Sequence, residues 1–354
     1  MDIAVLKDML NLLSTKTVKA VVLLVLVWTV VFSLIIDVDV LTGSRAAGGG
    51  VLSDLVHGQQ AQQSNTTGND TAIEVWPEKH DTLIAYVYSE SSFGRDNIHF
   101  FLQMAMHEAA DFIFIFNGEV SVRDSIPDWP NVRVVQRNNT CYDMGALGEV
   151  MRTDDLWKNY KKFISINSSL RGPYIPYWSN ACWSDMYLNK LNDRVKFVGL
   201  TANCWPRAHI QSMIYATDDI GMGILLDPEH ATSGIADKYG PADATVGLTG
   251  CYSGHKAAVH SEVGLATLFL NAGYEVDAMM AAFDHKVGLV EYCNTTGLGT
   301  GDLLSTGQYY DTTIHAYDTL FIKTNRKIDP VGIKRLTEWH LRANITSREL
   351  CSAR

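Results

Sequence analysis

The sequence predicts an α/β layer fold around a mostly parallel sheet, and three observations carry that prediction. Short apolar runs rich in β-branched and aromatic residues recur along the chain, too continuous to be strands with one wet face. Segments with apolar residues at helical spacing lie between several of them. No internal repeat competes with this pattern. In such sheets ligands gather outside the carboxyl ends of the strands, so the segments that follow strands are where chemistry belongs.

Leu83 to Tyr88 (LIAYVY) reads as the first buried strand. Asp96 is then placed to cap a helix whose Ile98, Phe101, Leu102, Ala105, Met106 and Ala109 fall on one apolar face. Phe112 to Phe116 (FIFIF) and Val132 to Val135 give the second and third strands, and a helix begins near Met144. Phe163 to Ile166, Val195 to Leu200 and Ile210 to Ala216 are strands four to six. Ala257 to Asn271 reads as a helix, with Gly273 placed to end it.

The first 80 residues differ from the rest. Ala20 to Ile36 is a run of 17 residues without a charge, at the lower edge of a bilayer span. Lys16 and Lys19 precede it and Asp37 and Asp39 follow. The positive-inside rule then leaves residues 1–19 as a cytosolic tail and carries everything beyond 36 across the membrane. So short a span suits the endoplasmic reticulum or Golgi, giving a single-pass type II protein. A cleaved signal peptide ending near Ser44-Arg45-Ala46 is the alternative. From Thr42 to about His80 the composition turns to Gly, Ser, Thr, Gln and Asn, so residues 37–80 are expected to form a flexible lumenal stalk. Sequons at Asn65, Asn69, Asn138, Asn167, Asn294 and Asn344 all lie beyond the anchor.

The 6 cysteines also lie beyond it and show no metal-ligand spacing. In an oxidising lumen they predict disulfides of undetermined connectivity, with buried thiols as the alternative. The 29 Lys and Arg against 39 Asp and Glu leave a formal charge of −10, which argues against a nucleic-acid partner. One folded unit is expected over 81–328, with 329–354 as a C-terminal tail.

Several motifs fail. His107-Glu108-Ala109-Ala110-Asp111 starts like a zinc-protease helix but ends in Asp, leaving a solvent-facing His–Glu pair. Gly297 to Asp302 lacks the third glycine of a dinucleotide loop, and Ser253 in GCYSGH is no nucleophile elbow. Three stretches are more informative. Arg137 to Ala146 follows the third strand with amides, one carboxylate and a glycine entering a helix, where a ribose and diphosphate can be held. Phe163 to Pro173 runs a buried strand into Asn-Ser-Ser and then Arg171, whose guanidinium suits phosphate. His209 to Met213 alternates polar and apolar, placing His209 and Gln211 on one strand face.

The order FIFIFNG, NVRVVQRNN, CYDMGALGE, YKKFISINSSLRGP, VKFVGLTAN, HIQSMIYAT and YDTLFIKTNR resembles glycosyltransferase-like proteins related to bacterial rhamnan-synthesis proteins, built on the GT-A fold. The resemblance covers about Asp81 to Ile328, and the pairing of YDMGA with NSSLRGP is its most specific feature. It implies a GT-A-like sheet flanked by helices and hexosyl or deoxyhexosyl transfer from a nucleotide sugar to a glycan or glycoprotein. It implies a donor side of Asn139, Tyr142, Asp143, Gly145, Asn167, Ser168, Ser169 and Arg171.

Such enzymes usually end the fourth strand in an Asp-x-Asp that holds Mn²⁺ or Mg²⁺. Asn167-Ser168-Ser169 supplies no carboxylate there, which leaves metal dependence, and catalysis itself, open. Without a metal, Arg171 and backbone N–H groups near Gly145 are the expected counter-charges. Asp185 and Glu262 are the candidate general bases, His209 a candidate for the acceptor or leaving group, and Gln211 an acceptor-side residue. A non-catalytic lumenal protein binding glycan or nucleotide is the second reading; a hydrolase lacks any nucleophile constellation.

Overall fold

The computed structural model describes residues 80–296 and 301–351. The expected cytosolic tail and anchor, the stalk up to residue 79 and most of the Gly297 to Asp302 loop fall outside them. Among the described residues no helix is long and apolar enough to cross a membrane.

In chain order the elements begin with β1 (Thr82–Ser89), α1 (Ser92–Met104), β2 (Asp111–Asn117), β3 (Val132–Arg137), α2 (Tyr142–Arg152), β4 (Lys162–Asn167) and β5 (Leu170–Arg171). They continue with α3 (Trp183–Leu188), β6 (Val195–Gly199), β7 (Ala202–Asn203), β8 (His209–Ile210), β9 (Ile214–Asp218), α4 (Asp219–Leu226) and α5 (His255–Asn271). The last are β10 (Glu275–Ala278), α6 (Leu289–Thr296), α7 (Ala316–Thr319), β11 (Ile322–Lys323), α8 (Pro330–Ala343) and α9 (Ser347–Cys351).

Seven strands form the central sheet in the order β10-β6-β9-β4-β1-β2-β3. Every neighbouring pair is parallel except those of β9, which runs against both β4 and β6. The sheet is thus mostly parallel, and its strands are continuous apolar runs because both faces are covered. Alternate residues feed two cores. Ile84, Tyr86, Phe114 and Ile164 pack with α1 and α3 on one face, while Leu83, Ile113 and Phe163 pack with α2, α4 and α5 on the other.

Several boundaries differ from the sequence reading. Ser91, not Asp96, caps α1, its hydroxyl accepting from the Gly94 N–H at 3.1 Å. That helix stops at Met104, because the chain must turn to bury His107 beside Phe112 and Trp183. His107 is therefore a core residue, not half of a solvent-facing pair. The strand expected over Ile210 to Ala216 breaks in two: β8 pairs with β7 in a small ribbon, and β9 joins the main sheet. At the other end of α5, Gly273 has φ +84°, with its own N–H on Leu270 O and that of Tyr274 on Phe269 O. This is the left-handed helix stop the sequence predicts.

All 6 cysteines pair, as Cys141–Cys251, Cys182–Cys351 and Cys204–Cys293, which removes the buried-thiol alternative. The segment expected as a tail packs on the core instead. Leu336 of α8 is buried, the Ser347 hydroxyl donates to Met104 O at 2.6 Å, and Cys351 of α9 bonds Cys182 beside α3.

Candidate functional site

A cavity of about 910 Å³ opens at the carboxyl ends of β1 and β4, the edge where such sheets hold ligands. Its walls are the turn from β1 into α1, residues 139–144 leading into α2, the 167–169 turn, the first two turns of α5 and the segment after β11. Of the sequence-predicted residues it brings together Asn139, Tyr142, Asp143, Asn167, Ser168, Ser169 and Glu262.

The wall between α2 and β4 is a closed polar unit. Asn167 Nδ2 donates to Asp143 Oδ2 at 2.8 Å, and Asn167 Oδ1 accepts from the backbone N–H and hydroxyl of Ser169 at 3.2 and 2.5 Å. Both ends of the Asn167 amide are engaged and the residue is half-buried in the cavity wall, a poor position for a glycan. Asn138, Asn294 and Asn344, by contrast, are exposed. Asp143 sits in the first turn of α2, and its Oδ1 has no hydrogen-bond partner among the described residues. The turn before it is strained: Cys141 and Tyr142 have φ of 67° and 56°, a region costly for residues with a Cβ. The Cys141–Cys251 bond ties that turn to the opposite wall, and Tyr142 is left 42 % exposed at the cavity.

Glu262 reaches the cavity from α5, half-buried, with no hydrogen bond or ion pair among the described residues. Burial raises its pKa, with the charges of Asp143 and Asp302 acting the same way and those of Lys323 and Arg326 opposing. A carboxylate left unpartnered in a cleft with a raised pKa has the properties of a proton acceptor.

Five predicted residues do not line the cavity. Gly145 is buried, and a Cβ there would lie 2.7 Å from Gly250 O, so its smallness admits the neighbouring chain. Asp185 is carried by α3, away from the cavity lining. His209 is buried with Nδ1–H on Arg207 O at 2.8 Å, and burial pulls its pKa down to about 4. Gln211 is also buried, donating to Asp302 Oδ1 at 3.0 Å and accepting from the Thr201 hydroxyl at 2.5 Å. The broken strand explains both: the chain leaves the ribbon after Ile210, so Ser212 and Met213 reach the cavity instead.

Arg171 lies behind the wall, its Nε donating to Asn97 Oδ1 at 2.9 Å. Fully buried Asn97 in turn donates to Ser168 O at 2.9 Å and Thr324 Oγ1 at 2.8 Å. This amide holds β1's neighbours in register: the 167–169 turn, β5 and the chain after β11. Replacing Asn97 with Ala removes its hydrogen bonds to three partners at once. We expect a loss of about 3 kcal/mol, roughly the sum of such penalties after relaxation, read by thermal or urea unfolding.

The residues that the sequence reading passed over are Lys323 and Arg326, together with Tyr252 and His255. The two cations stand in the quoted FIKTNR segment, but nothing local marks them: their place follows from β11 pairing with β5.

Among the described residues the cavity assembles no site of three metal-ligand side chains. Among the described residues the cluster of metal-ligand side chains within ligating distance is His107, Cys182 and Cys351, and its two sulfurs are bonded to each other. At the cavity, the strand-end amide is engaged at both ends, and among the described residues no three acidic or imidazole groups there come within that reach of one another.

No family model matches the chain, and no curated protein matches it in sequence. Among solved structures it is similar to a proposed nucleotide-diphospho-sugar transferase from Desulfovibrio desulfuricans G20. The identity is 12 %, the TM-score 0.34, and the match covers 56 % of this chain and 79 % of that one.

Proposed function

We propose that the chain is a nucleotide-sugar-dependent glycosyltransferase acting on a glycan or glycoprotein in the lumen of the endoplasmic reticulum or Golgi. The observation that carries this reading is the cavity itself. At the carboxyl edge of a mostly parallel sheet it joins an oriented carboxylate at a helix start, Asp143, to an unpartnered one, Glu262. Asp143 and Tyr142 serve the nucleoside, the first N–H groups of α2 favour the diphosphate, and Glu262 takes the acceptor hydroxyl proton. The charge-free run at 20–36, the exposed sequons and the three disulfides support a type II protein facing an oxidising lumen.

The test is nucleotide release by the purified full-length chain from UDP-, GDP-, CMP- and dTDP-sugars with a glycan acceptor mixture. We expect one donor class to be consumed only when acceptor is present. The second reading, a non-catalytic binder on the same fold, is favoured by Asn167-Ser168-Ser169 standing where a carboxylate pair is usual. Tight donor binding with no release under any acceptor would establish that reading over ours.

A further inference from the structure

We infer that Lys323 and Arg326, in place of a divalent cation, neutralise the donor's diphosphate in this cavity. The inference rests on the nucleotide-sugar reading above and goes further by assigning the counter-charge. Three observations lead to it.

The position where a metal would be anchored is closed. Asn167 gives its amide N–H to Asp143 and its oxygen to Ser169, so neither end is offered to an ion. A cation there would have to rely on Asp143 Oδ1 and the substrate alone.

The two side-chain cations are delivered to the same turn by backbone pairing. Lys323 is registered opposite Leu170, and the next residue, Thr324, donates its N–H to Ser169 O at 3.0 Å. Both Lys323 and Arg326 line the cavity, and both act electrostatically on Glu262 across it. Their location is thus fixed against the 167–169 turn by the sheet and by buried Asn97, not by a flexible loop.

One of the cations is uncommitted. The Lys323 ammonium makes no ion pair or hydrogen bond among the described residues. Arg326 uses Nη1 on Asp302 at 2.9 Å, which orients the guanidinium and leaves its other donors for a ligand. Apart from these two cations, the acidic side chains lining the cavity are Glu90, Asp143 and Glu262, all of them repulsive to a diphosphate when ionised.

The experiment titrates the purified full-length chain calorimetrically with UDP, GDP, CDP and dTDP, with CMP as the single-phosphate control. Each titration is run in EDTA and again with Mn²⁺ or Mg²⁺. We expect one diphosphate to bind equally well in EDTA, and CMP more weakly. Lys323→Ala should weaken that binding about 10- to 100-fold, the loss of a charge-assisted bond, at an unchanged melting temperature. Lys323→Arg should restore most of it, and Arg326→Ala provides a second, independent loss. Binding that vanishes in EDTA and returns with Mn²⁺ would overturn the inference while leaving the transferase reading in place, as would unchanged affinity in both alanine variants. Binding of CMP alone would overturn the inference, and no binding of any of these nucleotides in any condition, by a chain that still melts cooperatively, would overturn the transferase reading itself.

Discussion

Glu262→Gln should abolish sugar transfer while leaving the chain folded and able to bind its donor. Loss of a general base typically lowers turnover about 10²- to 10⁴-fold, and the amide keeps the shape of the carboxyl group without its basicity. The pH profile carries the same signature. Activity needs the ionised form, so its acid limb should lie above the ordinary carboxylate range near 4.3, in the direction that burial shifts Glu262. The stability effect has the opposite sign from most substitutions at buried sites. Because the folded-state pKa is raised, the contribution of this group is fully present below the unfolded pKa and is lost as pH rises through the folded value. At pH 7 the wild type carries an ionised, unpartnered Glu262, and the Gln variant does not. The variant should therefore melt higher than the wild type at pH 7 and at the same temperature near pH 4, as differential scanning calorimetry at the two pH values would read.

Gly148→Ala should produce the largest loss of stability among single-methyl changes near the site. A Cβ at Gly148 would stand 1.8 Å from Leu248 O and 2.7 Å from its carbonyl carbon. Neither neighbour can yield easily, since Leu248 N–H is bonded to Leu225 O at 2.9 Å and its carbonyl accepts from Arg152 Nη1 at 2.5 Å. We expect about 3 kcal/mol, the upper range for overpacking against rigid backbone, and a melting temperature roughly 6–12 °C lower. Donor affinity should fall as well. The displaced chain continues into Cys251 and Tyr252 of the cavity wall, and Cys251 is bonded to the strained turn that aims α2.

The sheet was legible in the sequence because burial on both faces writes itself as uninterrupted apolar runs: LIAYVY and FIFIF are β1 and β2. Strand direction leaves no such mark, so the reversal of β9 could not be read from Ile214 to Asp218. The part of the cavity wall made by consecutive residues was also legible. Asp143 and Asn167 each follow a recognisable strand, and the structure joins them by one hydrogen bond. What failed was the partnering of cations. Arg171 looked like a phosphate ligand because it follows the polar turn directly, yet its hydrogen bond to buried Asn97, which also holds Ser168 O, keeps it inward. Lys323 lies far along the chain and enters the site only through the β5–β11 ribbon, a pairing of two residues that no periodicity announces. His209 and Gln211 were misplaced for a similar reason: the alternation is real, but the strand it belongs to is two residues long and turned inward.

We propose that the cavity between Asp143 and Lys323 holds a nucleotide-sugar donor. The most direct test is calorimetric titration of the full-length chain with UDP-, GDP-, CMP- and dTDP-sugars, beside Tyr142→Ala and Asp143→Ala. Tyr142 is exposed at the cavity, so its loss does not disturb the core. We expect selective binding of one donor, weakened in both variants at unchanged cooperativity of unfolding. Equal affinity in the wild type and both variants would contradict it.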